Sequence, residues 1–185
     1  LSSTGENAFD FHGEIEKYLA AHPDIKLAFQ PGTYQMKFGK ERLAGIYKRA
    51  DAFFCNKEEA QRILGSDEQD VKKLMIAIFA LGPKIVSITD GVNGAYAYDG
   101  HQAWAIPLYP DPKPPLQRTG AGDAFSSTFT VALALGKKVE EALMWGPINS
   151  MSVVQGIGAR QGLLTRSQIE EYLALAPAEY KVSAF

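Results

Sequence analysis

Thr119-Gly120-Ala121-Gly122-Asp123-Ala124-Phe125 is the stretch whose residue types and order could do chemistry. Small residues lead straight into an apolar helical pattern, and an acid stands at the junction. A helix N-terminus leaves backbone N–H groups without partners and carries a partial positive charge. Gly120, Ala121 and Gly122 have almost no side chain to screen those groups, so an anion such as a phosphate can approach closely. Asp123 would then stand beside that anion. An acid there is costly unless it takes a proton from an incoming hydroxyl. The chemistry implied is phosphoryl transfer to an alcohol. Alone, the run also reads as a tight turn before a helix. It is not a Walker A loop, because no Gly-Lys-Ser/Thr follows.

Other stretches could join it. Thr89-Asp90-Gly91-Val92-Asn93-Gly94 follows the strongest strand pattern in the chain. Ligands of parallel α/β sheets bind at the carboxyl ends of strands, and Gly91 and Gly94 would let backbone approach a nucleotide. The plain alternative is a β-turn. Asn56-Lys57-Glu58-Glu59 also ends a strand pattern. Asn56 and Glu59 lie one helical turn apart, and their oxygens suit water-mediated Mg²⁺ binding near phosphates. Here the alternative is an N-cap Asn followed by solvated glutamates. Residues 149–159 close a helix at Gly156-Ile157-Gly158-Ala159, which also reads as a glycine helix stop.

The elements that must hold these stretches alternate. Helical patterns cover Phe9–Ala21 (with Phe11, Ile15, Tyr18 and Leu19 on one face), 40–49, Lys57–Leu64 and 67–81. Strand patterns cover Ile25–Phe29, 52–55, 85–89, 94–98 and Ala103–Ile106, with a hairpin turn at Asp99-Gly100. Pro107–Pro115 is a stiff, Pro-rich connector. Helices follow over 123–135, with Phe125, Phe129, Ala132 and Leu135 on the buried face, then over 139–154 and 167–175. Strands alternating with helices predict a largely parallel sheet covered on both faces. Residues 1–185 read as a single domain without repeats.

Composition narrows the class. An apolar fraction of 46% and a charged fraction of 22% describe an ordinary globular domain. A formal net charge of −2 gives no bulk attraction to nucleic acid or to an anionic membrane. Cys55 is the only cysteine, so no internal disulfide forms, which suits a cytoplasmic setting. His12, His22 and His101 match no metal-ligand spacing. The chain starts at Leu1 without Met, the pattern of a piece or processed product of something longer, and Leu1 could end a strand.

Taken in order, Asn56-x-x-Glu59, Thr89-x-Gly91-x-x-Gly94, Arg118-Thr119-Gly120-Ala121-Gly122-Asp123-Ala124-Phe125 and Gly158-Ala159 resemble the ribokinase-like sugar kinases, the PfkB carbohydrate kinase family. The resemblance covers essentially the whole chain and corresponds to the C-terminal half, or somewhat more, of a family member. It implies an α/β fold, a three-layer αβα sandwich with a largely parallel central sheet, here without the N-terminal part and the small β lid. Their loss should expose a sheet edge and an apolar face and open the site to water. The activity implied is ATP-dependent phosphorylation of a hydroxymethyl group on a sugar or nucleoside.

The resemblance also assigns roles. Asp123 becomes the general base, and the backbone of Gly120, Ala121 and Gly122 the anion hole. Thr89, Gly91 and Gly94, with Thr119, become nucleotide contacts. Asn56 and Glu59 organise Mg²⁺ and phosphates, with Glu59 on the metal side. Asn149, with Gly156 and Gly158, flanks the adenine and a monovalent-cation site, and Pro147 is the other position that aligns with the adenine contact. At Gln117 the chain departs from the family, which often has Asp there as a K⁺ ligand. A neutral amide is a poorer cation ligand, which counts against K⁺ activation. Partners implied are a small-molecule substrate and a missing N-terminal segment or a second copy. The competing reading is a truncated or stand-alone nucleotide-binding module without catalysis.

Overall fold

The computed structural model describes residues 1–185. The backbone falls into two compact units, Leu1–Ile88 with Tyr98–Gln102, and Thr89–Ala97 with Ala103–Phe185.

The first unit carries α1 (Phe9–Ala21), β1 (Ala28–Phe29), α2 (Thr33–Phe38), α3 (Ala44–Arg49), β2 (Ala52–Asn56), α4 (Lys57–Leu64), α5 (Val71–Phe79) and β3 (Val86–Thr89, whose last residue opens the second unit). Its strands neighbour one another in the order β1, β2, β3. β1 and β2 are parallel, with Ala28 opposite Ala52 and Phe29 opposite Phe53. Ala52, Phe53, Phe54 and Cys55 are all buried, which is why β2 reads as an unbroken apolar run. Phe29, Tyr47 and Phe53 pack with ring centroids 5.3–5.7 Å apart.

Two departures from the sequence pattern have physical causes. β1 is shorter than predicted because the carbonyls of Pro23 and Ile25 accept from the Arg49 guanidinium, at 3.3 and 2.5 Å, instead of a neighbouring strand. On α1, Phe11 and Tyr18 are more than half exposed, whereas His12 and Leu19 are buried. His12 is tolerated inside because both ring nitrogens have partners. Nδ1 donates to the Ala8 carbonyl at 2.7 Å, and Nε2 accepts from the Gln35 amide at 3.1 Å. Asp51 anchors this unit, taking hydrogen bonds from Lys84, Arg49 and the Leu27 N–H. Burial pushes its carboxyl up, but the hydrogen bonds from Lys84 and Leu27 and the charges of Lys84 and Lys26 outweigh this and hold it below the usual range.

The second unit carries β4 (Ala95–Tyr98, whose last residue belongs to the first unit), β5 (Ala103–Ile106), α6 (Ala121–Ala134), α7 (Val139–Val153), α8 (Arg166–Ala174) and β6 (Ser183–Ala184). Its strands neighbour one another in the order β4, β5, β6. β6 runs antiparallel to β5, with Trp104 opposite Ala184. α6 and α7 pack on each other, burying Phe125, Phe129 and Ala132 with Leu143, Ile148 and Val153. Leu135 is half exposed, contrary to the sequence pattern, because the helix ends at Ala134 and Leu135 is its cap. The connector has no regular secondary structure, yet Tyr109 Oη donates to the Tyr172 carbonyl at 2.9 Å and fixes it. No helix is long and apolar enough to cross a membrane.

Candidate functional site

The site in the second unit is built from two turns and one helix face. The first turn follows β3. Asp90 N–H donates to the Gly94 carbonyl at 2.9 Å, and Asn93 N–H donates to the Asp90 carbonyl at 2.9 Å. Gly94 has φ +93°, and a Cβ there would collide with the Ile106 carbonyl. Only glycine fits. Residues 91–93 form one turn of 3₁₀ helix, and Gly91 and Val92 reach the cavity described below.

The second turn launches α6. Gly120 has φ +85°, and a Cβ added to it would stand 2.8 Å from both Cα and Cβ of Ala159. That contact explains why Gly158-Ala159 accompanies Gly120 in the sequence: the loop after α7 lies against the turn before α6. Further bonds lock the two together. Leu116 N–H donates to the Val154 carbonyl at 2.9 Å, the Gln117 amide to the Gly156 carbonyl at 3.1 Å, and Ser150 Oγ to the Ala121 carbonyl at 2.7 Å. No side chain caps α6. The Ala121 N–H reaches back to the Arg118 carbonyl at 3.3 Å, and with no side chain over the helix start the positive end of its dipole is uncovered by a cap.

Between these elements lies a cavity of about 300 Å³. One part of its wall is Thr89, Gly91, Gly94, Ala121 and Gly122, a surface of small residues and backbone. Another is apolar, formed by Val92, Leu108, Pro147, Met151 and Val154. Arg118 and Asp111 are its charged side chains. Such a mixture of apolar wall and few convergent polar groups is what small-molecule sites look like.

The sequence-predicted residues separate into groups. Thr89, Gly91, Gly94, Ala121 and Gly122 meet on the cavity wall. Thr119 and Gly120 form the turn just before it. Asp123 sits on the first turn of α6 with an exposed side chain and is not part of the wall. Gly158 belongs to the loop whose next residue presses on Gly120. Asn149 does not face the cavity. It is buried, donating to Thr128 Oγ1 at 2.7 Å and accepting from the Leu164 N–H at 2.9 Å, so it ties α7 to α6 and to the segment before α8. Two residues along a helix is a turn of roughly 200°, which is why Pro147 lines the cavity and Asn149 points away.

Asn56 and Glu59 belong to the first unit. They close a reciprocal capping box at the start of α4: Asn56 Oδ1 accepts from Glu59 N–H at 2.8 Å, and Glu59 Oε2 accepts from Asn56 N–H at 2.8 Å. Glu59 keeps its second oxygen outside the box. No cluster of three His, Cys, Asp or Glu side chains converges as metal ligands.

Sequence reasoning passed over Ser150, Met151 and Val154. The signal was available, since Pro147, Ser150, Met151 and Val154 follow the i, i+3, i+4, i+7 spacing of one helix face.

Comparison with known proteins gives a consistent picture. A family model described as pfkB family carbohydrate kinase matches residues 25–166. A ribokinase of Bacillus subtilis is 39% identical over 95 residues, covering 51% of this chain and 32% of that protein. A cytidine kinase of Thermococcus kodakarensis is 32% identical over 138 residues, covering 72% of this chain and 48% of its own length. Among solved structures, the nucleoside kinase of Methanocaldococcus jannaschii, described as an archaeal member of the ribokinase family, superposes with a TM-score of 0.77 at 24% identity, over 94% of this chain and 55% of that one. The chain thus spans about half the length of such relatives, or less, and shares their fold, an αβα sandwich around a mostly parallel sheet.

Proposed function

Because this chain belongs to the pfkB family of carbohydrate kinases, we propose that it is the C-terminal, nucleotide-binding portion of an ATP-dependent kinase acting on a hydroxymethyl group of a sugar or nucleoside. One observation carries the reading. The uncapped start of α6 and the glycine turn after β3 line the same cavity. The apolar face of α7 receives the base. The backbone of Gly120, Ala121 and Gly122 is the anion hole for the transferred phosphoryl group, which is positioning and electrostatic stabilisation of the kind phosphoryl transfer needs.

ATP, when bound, supplies the phosphoryl group, and Mg²⁺ screens its charge. Asp123 takes the acceptor hydroxyl's proton on a carboxylate oxygen. Its exposure suits a base that meets a substrate arriving from outside the nucleotide cavity. Asn56 and Glu59, joined in the capping box of α4, would hold Mg²⁺ through water on the Glu59 oxygen that the box does not use, where it would screen phosphate charge. The Gln117 amide donates through Nε2 to the Gly156 carbonyl, and its neutral oxygen is a poorer cation ligand than the carboxylate often found there, which counts against activation by K⁺. The lone cysteine, buried in β2, suits a cytoplasmic enzyme.

The test is Asp123→Asn in the natural full-length polypeptide. Turnover measured by ADP release should fall roughly 10²- to 10⁴-fold, the usual worth of general-base catalysis, with ATP affinity nearly unchanged. Retained turnover removes Asp123 from the role of base. A second reading, a truncated or stand-alone nucleotide-binding module without catalysis, is favoured by the chain's spanning only about half the length of its relatives. It predicts nucleotide binding and no ADP release with any sugar or nucleoside.

A further inference from the structure

We propose that Arg118 is a phosphate-gripping residue of the cavity, holding the polyphosphate of the bound nucleotide through its guanidinium. This rests on the nucleotide reading above. Arg118 is the one cationic side chain on the cavity wall, and it shares that wall with Ala121 and Gly122 of the α6 first turn. Its guanidinium has no hydrogen bond, ion pair or ring contact within the chain. Arg49 holds Asp51 and the Ile25 carbonyl, Arg166 holds Glu170, and Arg42 lies 3.7 Å over the Phe9 ring; Arg62 and Arg160 are unpaired as Arg118 is, but neither stands on the cavity wall.

The charges around Arg118 point to a ligand. The N-terminus of α6 is partially positive, and the guanidinium adds a full positive charge beside it. Both favour an anion in the cavity they share. Asp111, the only carboxylate on the wall, is not its partner; its Oδ1 stands 3.4 Å from the Gln155 amide. The root of Arg118 is also fixed. Its carbonyl accepts from the Ala121 N–H at 3.3 Å, and the preceding Leu116 and Gln117 are tied to the end of α7. Only the side chain is left to move. A guanidinium presents planar paired donors that match two oxygens of a phosphate, which a lysine cannot do. Arg118 thus adds charged, directional donors to a cradle of backbone and small side chains.

The experiment compares the natural full-length protein with Arg118→Gln and Arg118→Lys, measuring ADP by titration calorimetry and adenosine as a competitor of ADP. In Arg118→Gln, ADP affinity should fall roughly tenfold to a hundredfold, the range for a lost charge-assisted hydrogen bond. Adenosine affinity and thermal midpoint should not move, and the salt dependence of ADP binding should flatten. Arg118→Lys should recover part of the loss. Unchanged ADP affinity in Arg118→Gln overturns the proposal, as does an equal loss for ADP and adenosine. A wild-type protein that binds neither ligand overturns the nucleotide reading itself, and the proposal with it.

Discussion

Two helix N-termini, those of α4 and α6, both sit at sequence motifs that suggest phosphate chemistry, and they are built in opposite ways. α4 begins with Asn56, whose side chain accepts from the Glu59 N–H while the Glu59 carboxylate accepts from the Asn56 N–H. Its first turn is satisfied from within. α6 begins with Gly120 in the left-handed region and has no side-chain cap. Its first turn is held instead through a carbonyl, by Ser150 Oγ on Ala121, which leaves the N–H side open. The difference is one of residue type. A side chain that can cap also occupies the place an anion would take, so a phosphate cradle needs small residues where an ordinary helix wants Asn, Asp, Ser or Thr. The closed terminus satisfies its own donors; the open one, on the function proposed above, leaves its donors to a phosphate.

The largest effect that would break this contrast is expected at Gly120. Gly120→Val forces a β-branched residue to φ +85° and drives its Cβ into Ala159. Strain and overpacking together should cost about 3 kcal/mol in chemical denaturation, and nucleotide binding should be lost along with the turn. A variant that keeps wild-type stability and affinity would show that the Gly120–Ala159 contact does not set the cradle. Next in size comes Asn56→Ala, which removes the cap and should cost about 1 kcal/mol of stability. Asn56→Asp restores a capping oxygen and should restore that stability. If it also leaves Mg²⁺-dependent ATP affinity intact, Asn56 is a cap alone. If affinity falls while stability is kept, Asn56 also reads the phosphates.

These two termini also show what was legible in the chain. The start of α6 could be read because small residues run straight into an apolar helical pattern, and the structure begins that helix at Ala121 after a left-handed Gly120. α1 and α4 run over their predicted residues because apolar spacing and the stops at His22 and Gly65 mark them. α2 was not predicted, since Tyr34 to Phe38 is too short to show a helical period and its start depends on Gln35 reaching back to the Gly32 N–H at 2.6 Å. The buried face of α1 was misread for a related reason: hydropathy favours Phe11 and Tyr18, whereas His12 is inside because a distant Gln35 supplies its partner. Asn149 looked like a ligand contact, and only the packed α6–α7 pair shows that Thr128 and Leu164 already hold it. What escaped the sequence were partners far apart in the chain, which no local pattern encodes. Arg118 was quoted as part of a motif, but its lack of a partner is visible only when its whole surroundings are.

The smallest of these effects is also the one that separates the two termini most cleanly. Ser150 Oγ donates to the Ala121 carbonyl at 2.7 Å in a partly buried setting. Ser150→Ala removes one neutral hydrogen bond, worth about 0.5–1 kcal/mol net. For a chain of this size that is roughly a 2–4 °C drop in thermal midpoint per kcal/mol. The Ala121 carbonyl keeps its other acceptor directions, so the helix itself survives. What loosens is the registration of the α6 first turn against α7, and with it the aim of the N–H groups. Nucleotide affinity should therefore fall a few-fold, roughly in step with the energy lost. Asn56→Ala should do the reverse if Asn56 is only a cap, losing more stability and no affinity. Should Ser150→Ala lower the midpoint and leave affinity untouched, α7 would serve α6 as packing alone, and the open terminus would be aimed by the Gly120–Ala159 contact without help.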